Sequence, residues 1–125
     1  MDGSWTAAAG SHHFIGNRWV ASSTGQSIDV VDPSDGHPFA KIARGTAADI
    51  DQAQRSARQA LGDSFDGDWG RMTATARGRL LMKLSTAVLD HHEELARLES
   101  RTTGKPLTQG RADATALARY FEYYA

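Results

Sequence analysis

Three stretches and one scattered group of this chain combine residue types that carry chemistry elsewhere. Thr103-Gly104-Lys105-Pro106 holds a Gly-Lys pair, part of the loop that cradles phosphates with backbone N–H groups. That loop also needs Gly five residues before Gly104 and a hydroxyl after Lys105. Glu99 and Pro106 stand there, so the stretch reads as a helix end with its stop signal. His91-His92-Glu93-Glu94 invites a zinc reading, but His-Glu-x-x-His from His92 needs histidine where Ala96 stands. Adjacent histidines cannot share one helix face, which leaves a solvated junction between two helices. Asp63, Asp66 and Asp68 alternate with Gly62, Gly67 and Gly70, without the spacing or distal Glu of a calcium loop. They read as a polar surface loop. Arg71, Arg77 and Arg79 gather where a helix dipole is positive. They read either as a solvated cluster or as an answer to an acidic partner surface.

Nothing else supplies a reactive group. The chain has no Cys, which removes a thiolate nucleophile, disulfides and zinc held by sulfur. It has no Gly-x-Gly-x-x-Gly and no Gly-x-Ser-x-Gly. No catalytic, cofactor-binding or metal-ligating residue is assigned.

The elements around these stretches are centred on Leu80 to Pro106. Leu80, Leu81, Leu84, Ala87 and Val88, then Leu95 and Leu98, fall at helical spacing, with Thr73 as the starting cap. Asp90 interrupts the stripe, and Asp90 with Glu93 reads as the cap of a second helix that Gly104 ends. Upstream, Gly16-Asn17 between two short runs from His13 to Ala21 predicts a two-residue hairpin. Ser27 to Val31 and Pro38 to Ala43 predict a second hairpin around Asp32-Pro33-Ser34-Asp35-Gly36. Thr46 and Asp49 cap a helix with apolar face Ile50, Ala53, Ala57, Ala60 and Leu61. Phe65 and Trp69 are expected to pin the loop 62–70. A last helix starts near Gly110 and carries the stripe Leu117, Tyr120, Phe121, Tyr124, still running where the chain stops. A natural domain that continues beyond this point is expected.

With 125 residues, 14 basic and 15 acidic, the chain is an ordinary soluble composition of net charge −1. That balance gives no pull toward nucleic acid or anionic lipid, and no apolar run approaches a membrane span. Residues 1–12 carry no Lys or Arg and read as a flexible tail of a cytoplasmic protein.

In order along the chain, six landmarks resemble the N-terminal portion of an NAD(P)-dependent aldehyde dehydrogenase. They are Phe14-Ile15-Gly16-Asn17-Arg18-Trp19-Val20, the Asp32-Pro33-Ser34-Asp35-Gly36 turn with Asp for the family's usual Asn, and the small-residue helix from Thr46 to Leu61. Then come Trp69 with Arg77-Gly78-Arg79-Leu80-Leu81, Leu98-Glu99 with Thr103-Gly104-Lys105-Pro106-Leu107, and Arg119-Tyr120-Phe121-Glu122-Tyr123-Tyr124-Ala125. The resemblance implies an α/β fold with a Rossmann-like cofactor domain, a catalytic domain and an oligomerisation arm. This fragment, 13–125, would be an incomplete part of the cofactor domain: N-terminal β-hairpins followed by about four helices.

It further implies oxidation of a small aldehyde to the acid with NAD or NADP as acceptor, in a homodimer or homotetramer. A Cys attacks the carbonyl, a Glu activates water, and an Asn helps stabilise the oxyanion; family members carry all three later in the chain. Some relatives hold a monovalent cation near the positions of Val30, Val31 and Thr102, and the acidic side chain of that site is replaced here by Thr102. The 125-residue chain alone is therefore expected to be inactive, and poorly soluble or loosely packed. The alternative is a non-catalytic fragment or a small protein-interaction module using the Leu117/Tyr120/Phe121/Tyr124 face.

Overall fold

The computed structural model describes residues 12–125. The expected tail lies outside the described residues except for His12, which opens the first strand. The described chain forms two compact units, 12–31 with 38–71, and 32–37 with 72–125.

In the first unit, β1 (His12–Ile15) pairs antiparallel with β2 (Arg18–Ala21), and β3 (Ser27–Val31) with β4 (Pro38–Ala43). Gly16 and Asn17 both have φ of 61°, the pair of left-handed residues that a tight hairpin turn requires. Phe14 and Trp19 face each other across the ladder with ring centroids 5.1 Å apart, while Ile15 is turned inward. The β3–β4 ladder carries an irregularity between Val30 and Val31.

Helix α1 (Ala47–Leu61) begins at Thr46 with both halves of a capping box. The inner side of α1 is only in part the expected apolar face. Asp49 is buried, Gln52 and Ser56 are half-buried with Ala53 and Leu61 of that face, and Ile50, 66% exposed, points to solvent as do Ala57 and Ala60. The cap decides this. Asp49 is pinned by Thr46 and Ser23, and one residue further round the helix Ile50 must point away. A Cβ on Gly16 would sit 3.2 Å from Ser56 Oγ, so the first hairpin turn lies against this side.

The loop after α1 also departs from expectation. Phe65 is 67% and Trp69 41% exposed, so neither pins it. Backbone bonds hold it instead: Gly67 N to Leu61 O at 3.1 Å and Trp69 N to Ala60 O at 2.9 Å.

In the second unit, residues 32–37 form a closed turn, with Gly36 N donating to Asp32 O at 2.8 Å. Three helices follow: α2 (Ala74–Asp90), α3 (His92–Thr103) and α4 (Leu107–Tyr123). Thr73 caps α2 as expected, its hydroxyl accepting from Ala76 N. Asp90 does not cap α3. It is the last residue of α2, and His91 takes the junction without a side-chain cap bond. The carboxylate of Glu93, expected to close that cap, is committed to Arg111 on α4.

Gly104 ends α3 in the left-handed region at φ 75°. The last helix starts at Leu107, three residues before the expected Gly110, because Pro106 lacks the N–H that a first turn leaves unpaired. Helix α4 packs on both α2 and α3. Its buried stripe is Gly110, Ala114 and Ala118, with Phe121 half-buried, rather than the Leu117/Tyr120/Phe121/Tyr124 set.

Opposite lie Ala96 on α3 and Gly78, Ser85 and Val88 on α2. A Cβ on Gly110 would meet Ala96 O at 2.6 Å, so this crossing is a backbone-on-backbone contact. Of the expected α2 and α3 stripe, Val88 is buried and Leu81 and Leu95 are half-buried. Leu80, Leu84 and Leu98 stay 38–43% exposed.

Candidate functional site

Three polar clusters carry most of the charge-assisted bonding. The first sits at the N-terminus of α1. Asp49 Oδ2 accepts from Thr46 N at 2.8 Å and Thr46 Oγ1 at 2.9 Å, and Asp49 Oδ1 accepts from Ser23 N at 3.1 Å. These bonds, led by the Thr46 amide, hold its carboxyl below the usual carboxylate range, against the opposing effect of burial. Ser22 is buried beside them and donates to Arg44 O at 2.6 Å. His13 Nε2 is buried 3.8 Å from Asp49 Oδ2 and makes no hydrogen bond. A carboxylate that accepts these donors and is held in its charged form is a helix cap.

The second cluster follows Gly104. Lys105 Nζ lies 2.7 Å from Glu99 Oε1 and 2.7 Å from Asp113 Oδ2, and Gln109 donates to Asp113 Oδ1 at 3.2 Å. Ser100 Oγ donates to Lys105 O at 2.7 Å. Asp113 and Glu99 raise the Lys105 pKa, and Lys105 in turn lowers that of Asp113. An ammonium held charged by two carboxylates is neither nucleophile nor base, and it is already neutralised for any phosphate. The Gly-Lys pair is thus a helix-to-helix clasp. The turn 32–37 backs it: a Cβ on Gly104 would approach Pro33 Cγ to 2.9 Å, and Arg101 pairs with Asp32 at 3.4 Å.

The third cluster joins the start of α3 to α4. Arg111 holds Glu93 with two bonds of 2.8 Å, and Arg97 adds a contact at 3.0 Å. The Arg111 bond is the main reason that the Glu93 carboxyl falls to about 2. His92 Nε2 reaches Arg111 O at 2.9 Å and Thr115 Oγ1 at 3.0 Å. The carbonyl can only accept, so the proton is on Nε2. His91 instead contacts Glu94 at 2.9 Å. The histidine pair is therefore divided between two jobs, and His92 is a helix staple rather than a solvated junction residue.

The other residues singled out in the sequence do not converge. Asp68 pairs with Arg71 at 3.2 Å, and Arg77 donates to Met72 O at 2.7 Å, which accounts for two of the three clustered arginines locally. Thr102 Oγ1 turns back onto its own helix, donating to Leu98 O at 2.9 Å. Among the described residues no three His, Cys, Asp or Glu side chains are grouped to hold a metal. A groove of about 410 Å³ beside α1 is lined by Arg55, Arg58, Gly62 and Asp66 with neighbouring polar residues. It is open to solvent along its length, unlike an enclosed substrate pocket. No helix among the described residues is long and apolar enough to cross a membrane.

Sequence reasoning missed the Glu99–Lys105–Asp113 and Glu93–Arg111 links, which join α3 to α4 and leave no spacing signal. The Asp49 cluster was half legible, since Thr46-x-x-Asp49 is a capping pattern.

Residues 19–125 match the profile described as the aldehyde dehydrogenase family. The chain is 38% identical over 112 residues to aldehyde dehydrogenase family 2 member B4, mitochondrial, of Arabidopsis thaliana, covering 89% of this chain and 20% of that protein. A solved structure assigned as an aldehyde dehydrogenase from Burkholderia cenocepacia is 57% identical, with TM-score 0.86, over 90% of this chain and 23% of its own. Betaine aldehyde dehydrogenase of Staphylococcus aureus, solved with NAD+, is 29% identical with TM-score 0.85 over 92% of this chain and 23% of its own. The chain thus spans between a fifth and a quarter of the length of these relatives.

Proposed function

The chain belongs to the aldehyde dehydrogenase family, and on that premise we propose that it is a scaffold segment of an NAD(P)-dependent enzyme oxidising a small aldehyde to its acid. Its fold is that of the N-terminal part of aldehyde dehydrogenase structures. The observation that carries the proposal is the family match across 19–125.

In this reading residues 13–125 are part of the cofactor-binding domain, and the reacting groups lie on other parts of the enzyme. The chain has no Cys to attack a carbonyl. Thr46 and Thr73 close the N-termini of α1 and α2, and Glu99 and Asp113 take the Lys105 ammonium; in this reading other parts of the enzyme hold the dinucleotide. NAD is the acceptor favoured by the NAD+ complex of the Staphylococcus relative, with NADP the alternative. What this segment contributes is rigidity. The capping box of α1, the Thr73 cap of α2, the Lys105 clasp and the Arg111–Glu93 pair fix hairpins and helices that support chemistry elsewhere.

A homodimer or homotetramer, a small aldehyde as the molecule acted on, no nucleic-acid or membrane partner, and a cytoplasmic location complete the proposal. The plant relative carries a mitochondrial name, so fractionation is the check on location. The exposed Tyr120 and Tyr124 also favour a second reading, an interaction module without catalysis.

The test is NADH formation. The purified 125-residue chain, given NAD+ and a panel of aldehydes, is expected to produce none. A chimera in which residues 12–125 replace the matching segment of the Burkholderia relative is expected to reduce NAD+. Turnover by the chain alone, or a folded but inactive chimera, overturns the reading.

A further inference from the structure

The turn 32–37 holds a dipeptide with chemistry of its own, Asp35-Gly36. The Asp35 side chain is 62% exposed, and its carboxyl is folded over the peptide that follows it, because His37 N donates to Asp35 Oδ1 at 2.8 Å. A side-chain oxygen bonded to the amide two residues on is an Asx turn, which brings Cγ beside the nitrogen of the residue between. We propose that Asp35-Gly36 is a site of spontaneous conversion to isoaspartate. The product is a substrate for a carboxyl methyltransferase that uses S-adenosylmethionine.

The conversion balances without a cofactor. Gly36 N attacks Cγ of the Asp35 carboxyl in its acid form. The new C–N bond closes a succinimide ring, and the hydroxyl leaves as water with the amide proton. Water then re-enters at one of two carbonyls. Addition at Cγ restores Asp35. Addition at the main-chain carbonyl of residue 35 breaks its bond to Gly36 N. The chain then runs on through Cβ and Cγ, and a free α-carboxylate is left behind. One water is lost and one is gained.

Gly36 favours the attack in two ways. It has no Cβ to shield its nitrogen, and a Cβ built there would meet nothing within 4 Å, so the turn has room to rearrange. The opposing feature is the bond from Gly36 N to Asp32 O at 2.8 Å, which an exposed turn can exchange for water. Asp66-Gly67 is the internal contrast. Gly67 N donates to Leu61 O at 3.1 Å, and a Cβ on Gly67 would meet Ala60 O at 2.4 Å and Gln59 O at 2.6 Å. That nitrogen is wedged against the end of α1 and cannot swing onto Asp66. Asp2-Gly3 lies outside the described residues. The extra main-chain carbon at residue 35 would disturb its neighbours, since Asp32 pairs with Arg101 at 3.4 Å and Pro33 lies against Gly104.

The test ages the 125-residue chain for some weeks at neutral pH, warm, in buffer and in concentrated urea. Peptide mapping by mass spectrometry and methyl transfer from labelled S-adenosylmethionine by an isoaspartyl methyltransferase then locate the product. In buffer, isoaspartate at residue 35 should exceed that at residue 66 by on the order of tenfold, because freeing Gly67 N requires the end of α1 to open. In urea the two sites should react alike. Asp35→Glu, whose longer side chain cannot close the same ring, should remove the label from that peptide. Asp35→Asn, which loses ammonia instead of water, should react faster than the parent. The aged form, separated from the parent, should unfold at lower urea concentration. No isoaspartate at residue 35 in buffer, or equal conversion at both sites there, overturns the proposal. An aged form with the urea midpoint of the parent overturns the effect on the turn.

Discussion

Replacing Gly110 by Ala sets two effects of opposite sign against each other. In a helix interior Ala is favoured over Gly by about 1 kcal/mol. At Gly110 the added Cβ would lie 2.6 Å from Ala96 O and 3.3 Å from Ala96 C, both backbone atoms of α3. A backbone carbonyl inside a helix cannot swing aside as a side chain can, so α3 and α4 must separate. Overpacking of this kind costs about 1–3 kcal/mol, and a rigid neighbour places it at the upper end. The net is a loss of about 2 kcal/mol. For a chain between the 60–100 and 150–250 residue classes this corresponds to a fall in melting temperature of roughly 8 °C.

The comparison variant is Gly78→Ala. There the Cβ would meet Ala125 O at 2.0 Å, and the next nearest atoms also belong to Ala125. That residue is tied back by one backbone bond, Ala125 N to Glu122 O at 3.3 Å, so it can move. The propensity gain should then win, leaving Gly78→Ala neutral or stabilised by up to about 1 kcal/mol. The assay is urea and thermal denaturation of the 125-residue chain at low micromolar concentration, followed at 222 nm. If Gly110→Ala is as stable as the parent, the two helices are not in backbone contact and the reasoning fails.

Further outcomes follow from the same contacts. Thr46→Ala should cost about 1–2 kcal/mol, because it removes the hydroxyl that accepts from Asp49 N and itself donates to the Asp49 carboxylate. Hydrogen exchange should show the loss first in the opening turn of α1. Glu93 is held at about 2 in the folded chain, below its ordinary 4.5. A depressed carboxylate contributes stability above the unfolded value and loses it as pH falls through the folded one. The urea midpoint should therefore decline between about pH 4.5 and 2, and Arg111→Gln should flatten that decline. Raising the concentration of the 125-residue chain should cause self-association seen by light scattering, because Ile50, Phe65, Tyr120, Tyr123 and Tyr124 are all more than 60% exposed. A chain that stays monomeric at high concentration would contradict this.

Local grammar was legible residue by residue. Gly16-Asn17, Thr46 with Asp49, Thr73, and Gly104 with Pro106 each act through bonds within a few positions, so spacing alone locates them. The family order of landmarks, from Phe14 to Ala125, was readable for the same reason. Facing was much less legible. Periodicity put Ile50 on an inner face, but Asp49 was pulled inward by Ser23, a residue 26 positions away. It put Phe65 and Trp69 under the loop, where backbone bonds suffice. It gave α4 its aromatic side as the packed one, whereas close helix approach required the smallest side chains.

The sequence by itself determined where each strand and helix starts and stops to within a few residues, and that no thiol chemistry resides in this chain. Those properties depend on residue type and on neighbours three or four places along. Only the tertiary structure decided that Lys105 is a clasp between Glu99 and Asp113, that His92 and Arg111 tie α3 to α4, and that α4 rests on Gly110, Ala114 and Ala118. Each of these joins groups from separate elements. Which partner a charge meets, and which face a helix buries, depends on how closely two backbones approach, a distance that no one-dimensional pattern records.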